Sequence, residues 1–132
     1  MRVYSILLLA SAVAVSCNVP NVPKEEAYGT YAAVDYVKTT DTIWLQPEGR
    51  YERHVYAANG PLLLDMKGSW HKVGPQEFQF SSFFLNLDRD LEEFPELLSD
   101  TLGGISVILE NDGFCTGYLQ GENCYRRLGL SR

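Results

Sequence analysis

Asp41 to Ala57 reads DTIWLQPEGRYERHVYA. Its first half alternates, with Ile43 and Leu45 on one side and Thr42 and Trp44 on the other. Pro47-Glu48-Gly49 then interrupts the rhythm with three turn-forming residues, of which Gly49 can take a positive φ. The second half alternates again, Tyr51, Arg53 and Val55 against Glu52, His54 and Tyr56. A period of two on both sides of a short turn predicts a β-hairpin.

The same rhythm extends in both directions. Upstream, Tyr28-Gly29-Thr30-Tyr31 opens a strand that runs to about Tyr36. Downstream, Asn59-Gly60-Pro61 is a turn, and residues 61–73 form a fourth strand. Leu62, Leu64, Met66, Gly68 and Trp70 share one face of it. Gly68, midway, predicts a bulge or bend of the kind a closing sheet needs. After the Gly74-Pro75 turn, residues 77–85 make a fifth strand, with Phe78, Phe80 and Phe84 on one face. Ile105 to Glu110 is a sixth. Consecutive strands with aromatic inner faces require closure or a cover. The predicted fold is mainly β: an antiparallel meander of seven or eight strands forming a small or partly open barrel.

One segment breaks the pattern. Between Asp88 and Asp100, Leu91, Phe94, Leu97 and Leu98 fall at helical spacing, and Asp88 suits an N-cap. Pro95 disfavours one continuous helix, so a short helical segment is expected near 88–99. The acidic residues Asp88, Asp90, Glu92 and Glu93 lack the spacing of a calcium loop and read as a solvated helix face.

Residues 1–16 have the parts of a secretory signal: Arg2, an apolar run from Ile6 to Val15 broken by Ser11, then small residues. The run is too short to span a bilayer, which takes roughly 20 residues. Ala14-Val15-Ser16-Cys17 resembles the bacterial lipobox, with Ala14 where Leu is commonest. That resemblance implies a signal peptide of residues 1–16, cleavage before Cys17 and acylation of Cys17, giving a lipid anchor to the membrane. In the resembled class an Asp after the cysteine retains the protein at the inner membrane. Asn18 therefore implies an outer-membrane lipoprotein facing the periplasm. Residues 17–27, with Pro20 and Pro23, read as a tether, and residues 28–132 as the β domain.

Removing sixteen residues from 132 leaves 116, enough for one core. Loss of Arg2 takes the net charge from −6 to −7. A domain of that charge repels nucleic acid, so no nucleic-acid partner is expected. Three cysteines are an odd count. With Cys17 assigned to lipid by the lipobox resemblance, Cys115 and Cys124 remain as a pair, and the oxidising envelope favours a disulfide. Asn111-Asp112-Gly113 and Gly121-Glu122-Asn123 both look like tight turns. Two tight turns would place the cysteines out of register, beyond the ~7 Å that a bridge can span. The disulfide is preferred: 116–123 becomes a clamped loop, and 124–128 a last strand lying beside 105–110.

No motif for a nucleophile elbow, a phosphate loop or a zinc site occurs, and neither enzymatic activity, a metal nor a cofactor is expected. His54 and His71 fall on the faces opposite the core, with Glu52 and Asp65, and read as solvent-facing polar residues. Trp44, Tyr51, Trp70, Phe78 and Phe80 are the candidates for lining a pocket for a small apolar ligand, against a simpler role in filling the core.

Gly29-x-Tyr31, Asp41-Thr42-Ile43-x-Leu45-x-Pro47-x-Gly49-x-Tyr51, Gly68-x-Trp70 and Phe78-x-Phe80 resemble small lipocalin-like lipoproteins of bacterial envelopes. The resemblance covers about residues 28–84 and implies a barrel that binds hydrophobic small molecules. The chain also resembles the barrel of a copper-responsive envelope lipoprotein, without that family's Cys-x-x-Cys, so copper binding does not carry over. The expected role is a lipid-anchored envelope binding protein for a small apolar ligand or an envelope protein. The alternative is a structural or interaction lipoprotein with no ligand cavity.

Overall fold

The computed structural model describes residues 18–86, 88, 93–94, 103–110, 112–117 and 121–129. Eight strands follow one another: β1 (Gly29–Ala33), β2 (Thr39–Leu45), β3 (Arg50–Ala57), β4 (Leu62–Lys72), β5 (Glu77–Phe83), β6 (Gly103–Glu110), β7 (Gly113–Cys115) and β8 (Cys124–Arg127). Each pairs antiparallel with the next, and β8 closes on β1 through Tyr31↔Arg127 and Ala33↔Tyr125. The expected antiparallel meander is therefore a closed barrel. Closure removes most of the unpaired edge that an open sheet of this length would expose. Most of the helical segment expected near 88–99 lies outside the described residues. Among the described residues Glu93 of that segment is helical, and a 3-10 turn spans Lys24–Ala27.

The hairpin that opens the argument forms as read. Leu45 pairs with Tyr51 and Ile43 with Arg53, and Gly49 takes φ 73° in the turn. Burial alternates along β2 and β3, with Thr39, Asp41, Ile43, Leu45, Tyr51, Arg53 and Val55 inside. Gly68 stands opposite Tyr51. A Cβ there would lie 2.4 Å from Tyr51 Cε1, so the glycine gives its place to the tyrosine ring. Just beyond it β4 changes partner, from β3 (to Ser69) to β5 (from Trp70). The register slips themselves fall elsewhere, at Val55/Tyr56 and Phe80/Phe83.

The interior is aromatic and packed ring against ring. Tyr51 meets Phe80 at 5.5 Å between centroids, Trp70 meets Phe78 at 5.7 Å, and Phe114 stacks on Tyr125 at 5.2 Å. Cutting one such buried ring back to alanine costs about 3–5 kcal/mol. β5 ends earlier than its alternation implies. Ser82 takes φ 50°, which shifts the phase and buries both Phe83 and Phe84.

The connections fall at two ends. One, the entry end, gathers the turns at 46–49 and 73–76, Asp112 and the 3-10 turn. The other, the loop end, gathers 34–38 and 58–61 and the described residues that follow β5 and flank the β7–β8 connection, 84–86, 116–117 and 121–123. The segment read as a tether makes contacts with the barrel at Asn21 and Val22. Val22 N donates to Pro75 O at 2.8 Å, Lys72 Nζ to Asn21 Oδ1 at 2.6 Å, and Ala27 is buried.

Near the C-terminus the tight turn and the disulfide coexist. Glu110 pairs with Gly113 across 111–112, and Cys115 is bonded to Cys124 directly opposite it on β8. The short β7 reconciles them by placing one strand between β6 and the last one. β8 therefore lies beside β7 and β1, and the expectation that it runs beside 105–110 is corrected.

Candidate functional site

Alternation points Arg53 inward with Tyr51 and Val55, and Asp41 inward with Ile43. Two opposite charges thereby enter the core at the loop end. Arg53 Nε donates to Asp41 Oδ1 at 3.0 Å and Nη2 to Oδ2 at 2.7 Å, with both side chains fully buried. Tyr125 Oη donates to Asp41 Oδ2 at 2.8 Å and accepts from Arg53 Nη2 at 3.1 Å. Asn86 Nδ2 donates to Asp41 Oδ2 at 3.0 Å and to Thr39 Oγ1 at 3.2 Å. Arg53 Nη1 reaches the Phe84 carbonyl, and the guanidinium carbon stands 4.3 Å from the Phe83 ring centroid. A bidentate pair in which every guanidinium nitrogen makes a hydrogen bond is the form in which a buried charge is tolerated.

The protonation states are fixed by this setting. Burial pulls the Arg53 pKa down, but the Tyr125 and Asp41 charges outweigh it and leave the guanidinium more basic than usual. Burial pushes the Tyr125 hydroxyl well above its ordinary value, and pushes Tyr36 up to about 12. The one orphan is Asn86 Oδ1, buried without a hydrogen-bond partner among the described residues.

A second cluster holds the start of the 84–102 segment over this end. The Asp88 carboxylate accepts from three successive amides, Val37 N (2.9 Å), Lys38 N (3.0 Å) and Thr39 N (2.9 Å), and from Thr39 Oγ1 (3.0 Å). Burial raises its pKa, but the backbone donors prevail and hold it below 3.8. Tyr36 Oη donates to the Asn86 carbonyl. The charged cluster is thus closed over by the loop end and has the character of a structural lock.

An open feature lies beside it. β6 pairs with β7 only at Leu109↔Phe114 and Glu110↔Gly113. Beyond Cys115 the chain continues its hairpin with the segment before β8, Thr116 N to Asn123 O and Gly117 N to Glu122 O, both 3.1 Å. The rest of β6 is left alongside a cleft of about 680 Å³, a size typical of ligand sites. Val107, Phe114 and Tyr125 lie at its apolar floor, and Asp35, Glu110 and Arg126 are on its walls. Arg126 is paired with Asp112 at 3.0 Å, which leaves the wall net acidic.

The residues singled out from the sequence distribute differently. Cys115 and Cys124 are joined and border the cleft. Cys17 lies outside the described residues. Of the five candidates for ligand lining, Tyr51, Trp70, Phe78 and Phe80 are core residues packed on one another. Trp44 is half exposed on the outer surface, as the phase of β2 requires, so the five do not surround one space. His54 Nε2 faces Asp65 Oδ1 at 3.4 Å across β3 and β4. His71 stands opposite Gln79, six residues further along β4, or about 20 Å at strand rise, so the histidines do not converge. Among the described residues no group of three or more His, Cys, Asp or Glu side chains is arranged to hold a metal. The Arg53–Asp41 pair was missed as a site, although a charge on the apolar face of each strand is its signal in the sequence.

No protein-family model, curated protein or solved structure matches the chain.

Proposed function

We propose that this chain is a lipid-anchored binding protein of the bacterial cell envelope. It takes its partner along the cleft between β6 and the β7–β8 hairpin rather than in a deep central cup. The observation that carries the reading is the 680 Å³ cleft beside a barrel whose aromatic rings fill one another's space. The lipocalin-like resemblance implies a central apolar cavity, and the stacked interior argues against it. The anchor rests on the lipobox resemblance at Ala14–Cys17.

Native mass spectrometry of the full chain, extracted in detergent from its own membrane, tests the binding role. A retained small mass or polypeptide that is lost on Ile108→Glu, which blocks the cleft wall, supports it. A bare chain in every preparation overturns it. Radiolabelled palmitate entering the wild type but not Cys17→Ala supports the anchor, and equal labelling of both removes it.

A structural role without a ligand is the second reading. It is favoured by exposed apolar side chains on the outer face, where Tyr56 and Leu62 are cross-strand partners. A partner that crosslinks through Tyr56 and not through Ile108 selects that reading.

A further inference from the structure

The chemistry of the cleft is set by a strand that outruns its neighbour. β6 has eight residues and β7 three. Leu109 N donates to Gln76 O, so the odd-numbered residues of β6 turn their backbone groups toward β5. By alternation, Gly104, Ser106 and Ile108 turn theirs to the opposite side, into the cleft. Among the described residues nothing pairs there with the N–H and C=O groups of Gly104 and Ser106 or with Ile108 N–H, whereas the Leu109↔Phe114 pairing sets Ile108 O against Cys115 N–H. A row of N–H and C=O groups at strand spacing is matched by another extended backbone.

We infer that this cleft receives an extended, lysine-bearing polypeptide segment, which adds to β6 as an extra strand. The inference rests on the binding role proposed above and names its partner. Backbone recognition comes from Gly104, Ser106 and Ile108, which span about 13 Å at strand rise. An added strand turns alternate side chains to the two faces of the sheet. One set meets the apolar floor of Val107, Phe114 and Tyr125. The other set projects along the Asp35 and Glu110 carboxylates, which favour a cationic segment in a chain of net charge −6.

The test uses the full chain and three seven-residue probe peptides with blocked ends. One alternates lysine and valine, one alternates glutamate and valine, and one is the lysine peptide N-methylated at alternate backbone nitrogens. Hydrogen exchange is read at single amides. The lysine peptide is expected to slow exchange at Ser106 and Ile108 at least tenfold. The glutamate and N-methylated peptides are expected to bind at least tenfold more weakly. Ser106→Pro removes one cleft-facing donor and leaves the β5 ladder intact. It should keep the barrel's circular dichroism and lose the peptide. If Ser106→Pro does not fold, the N-methylated peptide still decides the question. The inference is overturned if the lysine peptide leaves these amides unchanged at millimolar concentration, or if the N-methylated peptide binds equally well. It also falls if the amides are already protected in the peptide-free chain, whether as a monomer or through dimerisation with a second copy. Loss of peptide binding with a retained mass in native spectra removes strand addition and leaves the binding role standing. Loss of both removes both.

Discussion

Arg53 and Asp41 meet inside the barrel as diagonal neighbours on β3 and β2, at 3.0 and 2.7 Å and with no exposed side-chain surface. Two hydrogen bonds hold them in one plane, and Tyr125 completes the ring. Such a pair contributes little compared with an apolar core of the same shape, but losing one partner strands the other.

Asp41→Ala should therefore lower stability by about 3–5 kcal/mol, read as a fall in the urea midpoint at unchanged m-value. The double variant Asp41→Leu with Arg53→Met should lie closer to wild type than the single one. A double variant less stable than Asp41→Ala would show that the pair contributes net stabilisation of its own.

Tyr125→Phe deletes one hydroxyl that donates to Asp41 and accepts from Arg53. About 1–3 kcal/mol should be lost, the cost of leaving buried polar groups unsatisfied. Tyr31→Phe provides the contrast. Its hydroxyl donates to Ala27 O in a buried bond and accepts from the part-buried Arg127; its removal strands no buried ion pair, and the loss should be smaller.

Asp88 makes the attachment of the 84–102 segment sensitive to acid. Its folded pKa is depressed below 3.8. The stabilisation is therefore present above the ordinary carboxylate range and is lost as pH falls through the folded value. Amide protection at Val37, Lys38 and Thr39, measured below about pH 4, should drop with that titration. In Asp88→Asn the same amides should be weakly protected at every pH.

Tyr36 and Tyr51 should give the opposite limit. Burial raises both from 10.0 to about 12, so their contribution is whole below pH 10 and declines as pH rises toward 12. Ultraviolet titration should show a late phenolate component that merges with the early one on unfolding.

Gly68→Ala should cost about 1–3 kcal/mol by overpacking, because its new methyl would meet the Tyr51 ring at 2.4 Å. Combined with Tyr51→Leu the two changes should be less than additive. Additivity would mean that the ring moves aside freely.

The hairpin at 41–57 was legible because everything that fixes it is local: two alternating runs and a Gly-containing turn. Barrel closure was legible as a need, from the number of strands and their aromatic faces. The polar lock was only half legible. Alternation turned Arg53 inward, but Asp41, Asn86 and Tyr125 are its partners only once β2, β3, β8 and the 84–102 segment are assembled. The cysteines were legible by count and not by placement. β7 is three residues long, too short for any period to register, and without it β8 was set beside the wrong strand. Phe84 fell on the expected side through a different route, because the kink at Ser82 reset the phase of the strand before it.

The docking of Asn21 and Val22 onto the β4–β5 end has a consequence for posture. With the acylated Cys17 proposed above, only Asn18 to Pro20 would separate the lipid from Asn21. Such a leash, fully extended, reaches at most about 14 Å. The barrel would stand almost on the bilayer, its 3-10 turn toward the headgroups and its long connections aimed away from them. A leash this short limits tumbling, so the upper half of β6 would face outward into the periplasmic space. A nitroxide at Leu62 should then be out of reach of a lipid-bound relaxation agent, and one at Glu48 within it.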